Sequence, residues 1–273
     1  VLVLEGRVKR GRCQCPFCGS QHRVPDPAQG HYRHRLFAIE YHNPFCKKPH
    51  AGRFFKKPDQ NDLIRLKTVE ARCADLKPTF IPDEEIPSGD ETDRLHHWGY
   101  LHYSDMFNAR QLVGLELSCR LIAEQKDKRL RNALATNLSD LLRYQNMLCR
   151  YDTMALKSLD VFSVHGFPVG LVQAESNLLG VSGGQPGALV GSGGWLNIIE
   201  KYRKAKAYCD HPFEIRHENG KKISHFIQGE WIGSSRNGKN PPEHRKVVLR
   251  CEDAALATLR PHSLPPPATA PPS

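Results

Sequence analysis

The chain reads as a mixed α/β protein with a small zinc-ribbon-like β module first, a helical region next and a β-rich segment last. Three observations predict this. Cys15-Pro16-Phe17-Cys18-Gly19 places two thiols two residues apart in a Pro-Gly turn, a geometry that presents both sulfurs to one metal ion. From Asn108 onward apolar residues recur with the 3.6-residue period of a helix. Beyond residue 210 short apolar runs alternate with turn signals, as they do in strands.

The elements follow in order, and the boundaries they set are 1–80, 81–210, 211–264 and 265–273. In the first part Arg33–Tyr41 (RHRLFAIEY) is the clearest strand and Asp62–Ala74 a short helix. The stretch from Phe80 to Phe107 is loop-rich, acidic at first and then aromatic, with Trp98, Tyr100, Tyr103 and Phe107. A helix then starts with Asp105 or Asn108 as its cap and sets Leu112, Leu115, Cys119 and Ile122 on one face. A second helical run from Asp127 to Arg150 carries Leu130, Leu134, Leu138, Leu141 and Leu142, and the two read as an antiparallel hairpin with these leucines as core. Residues 160–194 lose periodicity and become Gly-rich, and a third helix runs from Trp195 to Cys209 through Ile198, Ile199, Tyr202 and Ala205. Asn219-Gly220 between strand-like pieces marks a hairpin turn. Val247–Arg250 reads as a buried strand with Glu252 and Asp253 at its carboxyl end, and the Pro/Ala-rich 265–273 is expected to be disordered.

Composition narrows the classes of function. Lys and Arg number 39 against 29 Asp and Glu, a formal charge of +10, which suits a protein that meets polyphosphate. The excess gathers in residues 7–57, where Arg12, Arg23, Arg35, Lys47, Lys48, Arg53, Lys56 and Lys57 alternate with Phe37, Tyr41, Phe54 and Phe55. Cations beside aromatics serve phosphate contact and base stacking, although a solvated basic face accounts for charge alone. Nine cysteines, an odd number scattered mostly through apolar patterns, do not make a disulfide framework and fit a reducing, cytoplasmic setting. The opening Val-Leu-Val-Leu is too short for a membrane span.

For a zinc site the expected ligands are Cys15, Cys18 and Cys46, and the fourth position stays open among His50, His42 and Cys13, with His50 taken as the working choice. Asn43 stands where a second Cys-x2-Cys would begin, in Asn43-Pro44-Phe45-Cys46. Gly191, Gly193 and Gly194 lead directly into the third helix, so their N–H groups and the helix terminus are candidates to cradle an anion or a cofactor carboxylate, against the simpler reading of a mobile loop. Asp253 is a cofactor-binding candidate because open α/β sheets bind ligands beyond the carboxyl ends of strands, against the simpler reading of a helix cap. Asn240-Pro241-Pro242-Glu243 has the outline of an amino-methylating motif but carries Glu where an aromatic is needed, and it reads as a loop.

Four stretches carry a family likeness: Ile81–Gly99 (IPDEEIPSGDETDRLHHWG), Tyr103–Leu117 (YSDMFNARQLVGLEL), Tyr144–Asp152 (YQNMLCRYD) and Gly191–Cys209 (GSGGWLNIIEKYRKAKAYC). Together, over most of residues 10–264, they resemble the middle portion of bacterial zinc-ribbon-containing, adenine-specific DNA methylases. The resemblance implies a Rossmann-like methyltransferase sheet starting at 211–264, S-adenosylmethionine as methyl donor, zinc as a structural metal and the exocyclic amine of adenine in DNA as acceptor. In such enzymes a strand and turn like VVLRCEDAALATLRPHSL leads to a strand ending in Asp-Pro-Pro-Tyr. Here Leu264 is followed by PPPATAPPS, so no residue is assigned a catalytic role. The expectation is a truncated part of such an enzyme, inactive alone, with DNA and a second, completing polypeptide as partners. The alternative is a non-catalytic zinc-ribbon module that binds nucleic acid.

Overall fold

A computed structural model describes residues 8–9, 11–15, 17–26, 34–185 and 187–227. Its described residues fall into two compact units, one ending at Lys204 and the other beginning at Ala205. The architecture is mixed α/β, and every strand pairing among the described residues is antiparallel.

The first unit begins with three short strands, β1 (Val8–Lys9), β2 (Arg12–Gln14) and β3 (Gln21–Arg23), paired in that order. A hairpin of β4 (Ile39–His42) and β5 (Arg53–Lys56) follows, in register from Ile39 opposite Lys56 to His42 opposite Arg53. The strand expected over Arg33–Tyr41 is therefore shorter, since residues 34–38 lie outside it. Helix α1 (Gln60–Ala74) starts two residues before the expected Asp62 because Asp59 and Asp62 form a reciprocal capping box, each carboxylate accepting the other's main-chain N–H at 3.0 Å. The Lys56 ammonium, 2.6 Å from Asp59, heads the causes that hold that carboxyl down at about 2, well below the usual range.

The stretch expected to be loop-rich carries the larger buried cluster. Ile86, Leu95, Tyr100 and Met106 pack with Leu148 and Val169, and Trp98, Phe107, Val161 and Phe167 flank them. A short helix α2 (Asp93–His97) places Leu95 in this cluster, and a bridge between Glu85 and His102 closes the segment. Few of these residues show a period, because irregular backbone delivers them one at a time.

Asn108 caps α3 (Ala109–Ala123), its side chain accepting from Gln111 N while the Gln111 side chain accepts from Asn108 N, both at 3.0 Å. Asp127 caps α4 (Lys128–Leu142) through the N–H groups of Arg129 and Leu130. Helix α3 packs against both α1 and α4. Of the α3 face, Leu115 and Ile122 are buried; of the α4 face, Leu141 is buried and Leu138 packs beside it, whereas Leu130 and Leu142 are exposed. Leu115, Leu141 and Ile198 form the second cluster, with Phe107 touching both clusters.

The second helical run stops at Leu142 instead of reaching Arg150, for a side-chain reason. Asn146 Nδ2 donates to the Leu142 and Arg143 carbonyls at 2.8 and 3.1 Å, satisfying groups that a continuing helix would have satisfied itself. Met147 N donates instead to Met106 O at 2.6 Å, which drives Met147, Leu148 and Cys149 into the interior.

Short pairs β6 (Tyr151–Asp152) with β7 (Lys157–Ser158), and β8 (Val181–Ser182) with β9 (Leu189–Val190), precede α5 (Trp195–Asp210). The second unit contains the end of α5 and a hairpin of β10 (Phe213–Glu218) and β11 (Lys221–Phe226). Its turn is Asn219-Gly220, both with positive φ, as the sequence predicts for a two-residue hairpin loop. Phe213 sits edge-on to both Tyr208 and Phe226. The expected Val247–Arg250 strand, Asn240–Glu243, Asp253 and the 265–273 tail lie outside the described residues. No helix among the described residues is long and apolar enough to cross a membrane.

Candidate nucleic-acid interface

Two turns with matching sequence, Cys15-Pro-Phe-Cys18 and Asn43-Pro-Phe-Cys46, lie in the first unit. The first links β2 to β3. It is closed by Cys15 N donating to Ser20 O at 2.8 Å and Gly19 N donating to Cys15 O at 3.0 Å. Cys18 Sγ lies 3.0 Å from the Ser20 hydroxyl, which in turn lies 2.8 Å from His22 Nε2. Hydrogen bonds from the Ser20 hydroxyl, then from the Ser20 main chain and Cys15, bring the Cys18 thiol down to about 7. A thiol in that range supplies the thiolate that metal binding requires. Phe17 stands 96% exposed at the tip.

The second turn links β4 to β5 and spans Asn43–Gly52. Asn43 closes this turn: its carboxamide oxygen accepts from Phe45 N at 3.0 Å, and its carbonyl accepts from Cys46 N at 3.2 Å. Asn43 N donates to Gly52 O at 2.8 Å and so shuts the base of the loop. His50 and Ala51 both have φ of 54°, and Gly52 has φ of 81°. Phe45 is 93% exposed, and Lys47, Lys48 and His50 are exposed beside it. On the hairpin itself Tyr41 stacks on Phe54 with ring centroids 5.8 Å apart, and Lys56 Nζ lies 5.4 Å from the Tyr41 ring centre. Phe54 and Phe55 leave about half of their surface in water.

For zinc, then, Cys15 and Cys18 share one turn and Cys46 and His50 share another. Among the described residues no group of three or more His, Cys, Asp or Glu gathers as a metal ion needs. Cys15 and Cys18 fit half of a zinc site by donor chemistry, and the four residues together do not form a complete one here. Of the alternatives for the fourth ligand, Cys13 is buried with its thiol directed at the Gln14 carbonyl, and His42 is half-buried in β4.

Two of the glycines before α5, Gly193 and Gly194, are packed into the fold. Gly193 and Gly194 are buried. Trp195 N donates to Leu178 O at 2.8 Å and Leu196 N to Leu179 O at 3.0 Å, while Gly194 N donates to Asn197 Oδ1 at 3.2 Å. The N–H groups of Gly194, Trp195 and Leu196 are thus already engaged. Gln145 Nε2, wholly buried, donates to Gly193 O at 2.6 Å and to Ser176 O at 3.3 Å. Gly193 and Gly194 lock the Gly-rich segment against Tyr144 and Gln145. Gly191 is exposed, with open space around its α-carbon.

Three structurally central side chains gave no signal in the sequence. Glu116, 2% exposed, accepts from Thr79 N, Phe80 N and Arg120 Nε at 3.0, 2.9 and 2.7 Å. Gln111 and Gln145 are equally buried. Each sits at a position that periodicity alone would assign to a polar or capping residue.

Comparison with family models, with curated proteins and with solved structures finds no match to this chain.

Proposed function

We propose that this chain is the nucleic-acid-binding part of an adenine-specific DNA methylase of the zinc-ribbon type, and that its basic β module contacts DNA. The observation that supports this reading is the repeated Pro-Phe turn on two antiparallel hairpins, each flanked by exposed cations and each with an exposed aromatic at its tip. A ribbon built this way offers phosphate-neutralising charge and base-stacking surface on the same face of the chemistry. Zinc at Cys15 and Cys18, with Cys46 and His50 as the further ligands, belongs to the same proposal. So does the start of a Rossmann-like methyltransferase sheet at 211–264, with S-adenosylmethionine as the methyl donor of the whole enzyme, and no step of methyl transfer is assigned to the described residues.

The test is a salt series. The purified chain, titrated into a short labelled duplex, should lose affinity linearly on a log-log plot against salt concentration. Replacing Lys47 and Lys48 together with Ala should lower that slope by about 2, one for each phosphate contact removed. Affinity that ignores salt would sink the proposal. Methyl transfer from labelled S-adenosylmethionine by the chain alone, at an enzymatic rate, would overturn its non-catalytic side.

A further inference from the structure

We propose that the Asn43–Gly52 loop is a base-stacking site for single-stranded DNA, with the Phe45 ring as the platform and Lys47 and Lys48 as its phosphate contacts. The inference rests on the nucleic-acid reading above and narrows it to unpaired strands.

The first support is placement. Phe45 is 93% exposed while the loop that carries it is tightly closed, so water meets a large apolar ring that no folding contact requires. The second is rigidity. Three hydrogen bonds, Asn43 N to Gly52 O, Phe45 N to Asn43 Oδ1 and Cys46 N to Asn43 O, fix the loop, and a Cβ on Gly52 would run into the carbonyl oxygens of Asn43 and Cys46. The third is strain: His50 and Ala51, neither a glycine, are held in the left-handed region. Strained backbone persists where the surrounding structure over-determines it, and it concentrates at ligand-binding sites. The fourth is charge complementarity, since Lys47 and Lys48 lie two and three residues beyond the ring and are exposed. A duplex keeps its bases stacked on one another and offers no free face to such a ring, whereas a single strand offers one at every nucleotide. Phe17, 96% exposed at the matching place in the first turn, would be a second platform of the same kind.

The test uses the full chain with a fluorescein-labelled oligodeoxythymidine and with a duplex of equal length. Phe45→Ala and Phe45→Leu should each weaken binding to the single strand about tenfold while leaving its salt slope and the duplex affinity unchanged. Phe45→Trp should keep the affinity, and the added indole fluorescence should be quenched by the single strand but not by the duplex. Because the ring makes little contact with the rest of the chain, the circular dichroism of all three variants should match the parent. The inference is overturned if Phe45→Ala leaves the single-strand affinity unchanged, if Phe45→Leu binds as well as the parent, or if both DNA forms weaken equally. In each of those cases salt-dependent binding that responds to Lys47 and Lys48 would leave the broader reading in place. Absence of salt-dependent binding to either DNA overturns both.

Discussion

Asn43 and Gly52 close on each other across the base of one loop, the Asn43 amide donating to the Gly52 carbonyl at 2.8 Å while the Asn43 carbonyl occupies the space a Gly52 side chain would need. That mutual fit makes the loop sensitive to a single methyl group. Gly52→Ala combines a clash with two carbonyl oxygens and a φ of 81°, so it should destabilise the loop by about 2 kcal/mol or more. Hydrogen exchange at the Asn43 and Cys46 amides is the direct readout, since opening of the loop accelerates it even where the rest of the unit stays folded. Asn43→Ala, which removes one hydrogen bond, should cost about 1 kcal/mol by the same measurement.

Glu116 predicts an acid-sensitive joint between the segment at Lys77–Phe80 and α3. Burial pushes its carboxyl up, but the Arg120 hydrogen bond and the N–H groups of Phe80 and Thr79 outweigh that and leave it below the usual carboxylate range. A carboxyl lowered in the folded state stabilises the fold above its unfolded pKa, and the stabilisation is lost as pH falls through the folded value. The contribution is therefore complete at neutral pH and fades in the acid range below ordinary Glu titration. Glu116→Ala should cost on the order of 3 kcal/mol at neutral pH, because three donors lose their acceptor. Denaturant midpoints of parent and variant should converge as pH is lowered, and midpoints that stay parallel would remove the carboxylate from this role.

Gly193 separates a packing role from a cofactor role. A Cβ there would overlap the Tyr144 side chain, and φ is 81°. Gly193→Ala should lower global stability by on the order of 3 kcal/mol, measured by denaturant unfolding. Gly191→Ala meets open space but also has positive φ, at 73°, and should cost only about 1 kcal/mol. If Gly193→Ala instead kept its stability and changed S-adenosylmethionine binding, the packing account would be wrong.

Zinc uptake should follow the first turn. Cys15→Ser and Cys18→Ser are expected to abolish zinc binding measured by metal analysis of the purified chain, because they remove the two ligands that already share a turn. Cys46→Ser and His50→Ala should weaken binding and leave measurable metal. Full zinc retention in Cys46→Ser and His50→Ala would remove the second turn from the proposed site.

Much of the architecture was legible in the sequence wherever a rule acts over a few residues. Asn108 as a cap, the start of α5 at Trp195 and the Asn219-Gly220 turn were all read correctly, since a cap or a two-residue turn is decided by side chains next to the backbone they serve. The matching Pro-Phe turns were legible for the same reason. Long-range contacts were not legible. The helix expected to reach Arg150 ends at Leu142 because Asn146 caps it and Met147 pairs with Met106, a partner far away in the chain. The stretch from Phe80 to Phe107 is loop-rich as expected, but the sequence does not show that Leu148 and Val169 arrive from elsewhere to make it a core. At the glycines before α5 the sequence shows the helix start, but not the Leu178 and Leu179 carbonyls that accept from Trp195 N and Leu196 N.

By itself, then, the sequence determined the order of the longer helices, the start of α5, the hairpin turn, the concentration of positive charge in the first part and the chemistry available at Cys15 and Cys18. Only the tertiary structure decided that Gly193 and Gly194 are packed, that Glu116 is buried among three donors and Gln145 buried with its amide nitrogen donating twice, that Phe45 stands in water on a closed loop, and that the two Cys-bearing turns do not gather three ligands among the described residues. The physical reason is reach. Propensity, capping and turn chemistry act between neighbours along the chain, whereas exposure and the satisfaction of buried polar groups depend on which distant segment comes to lie alongside.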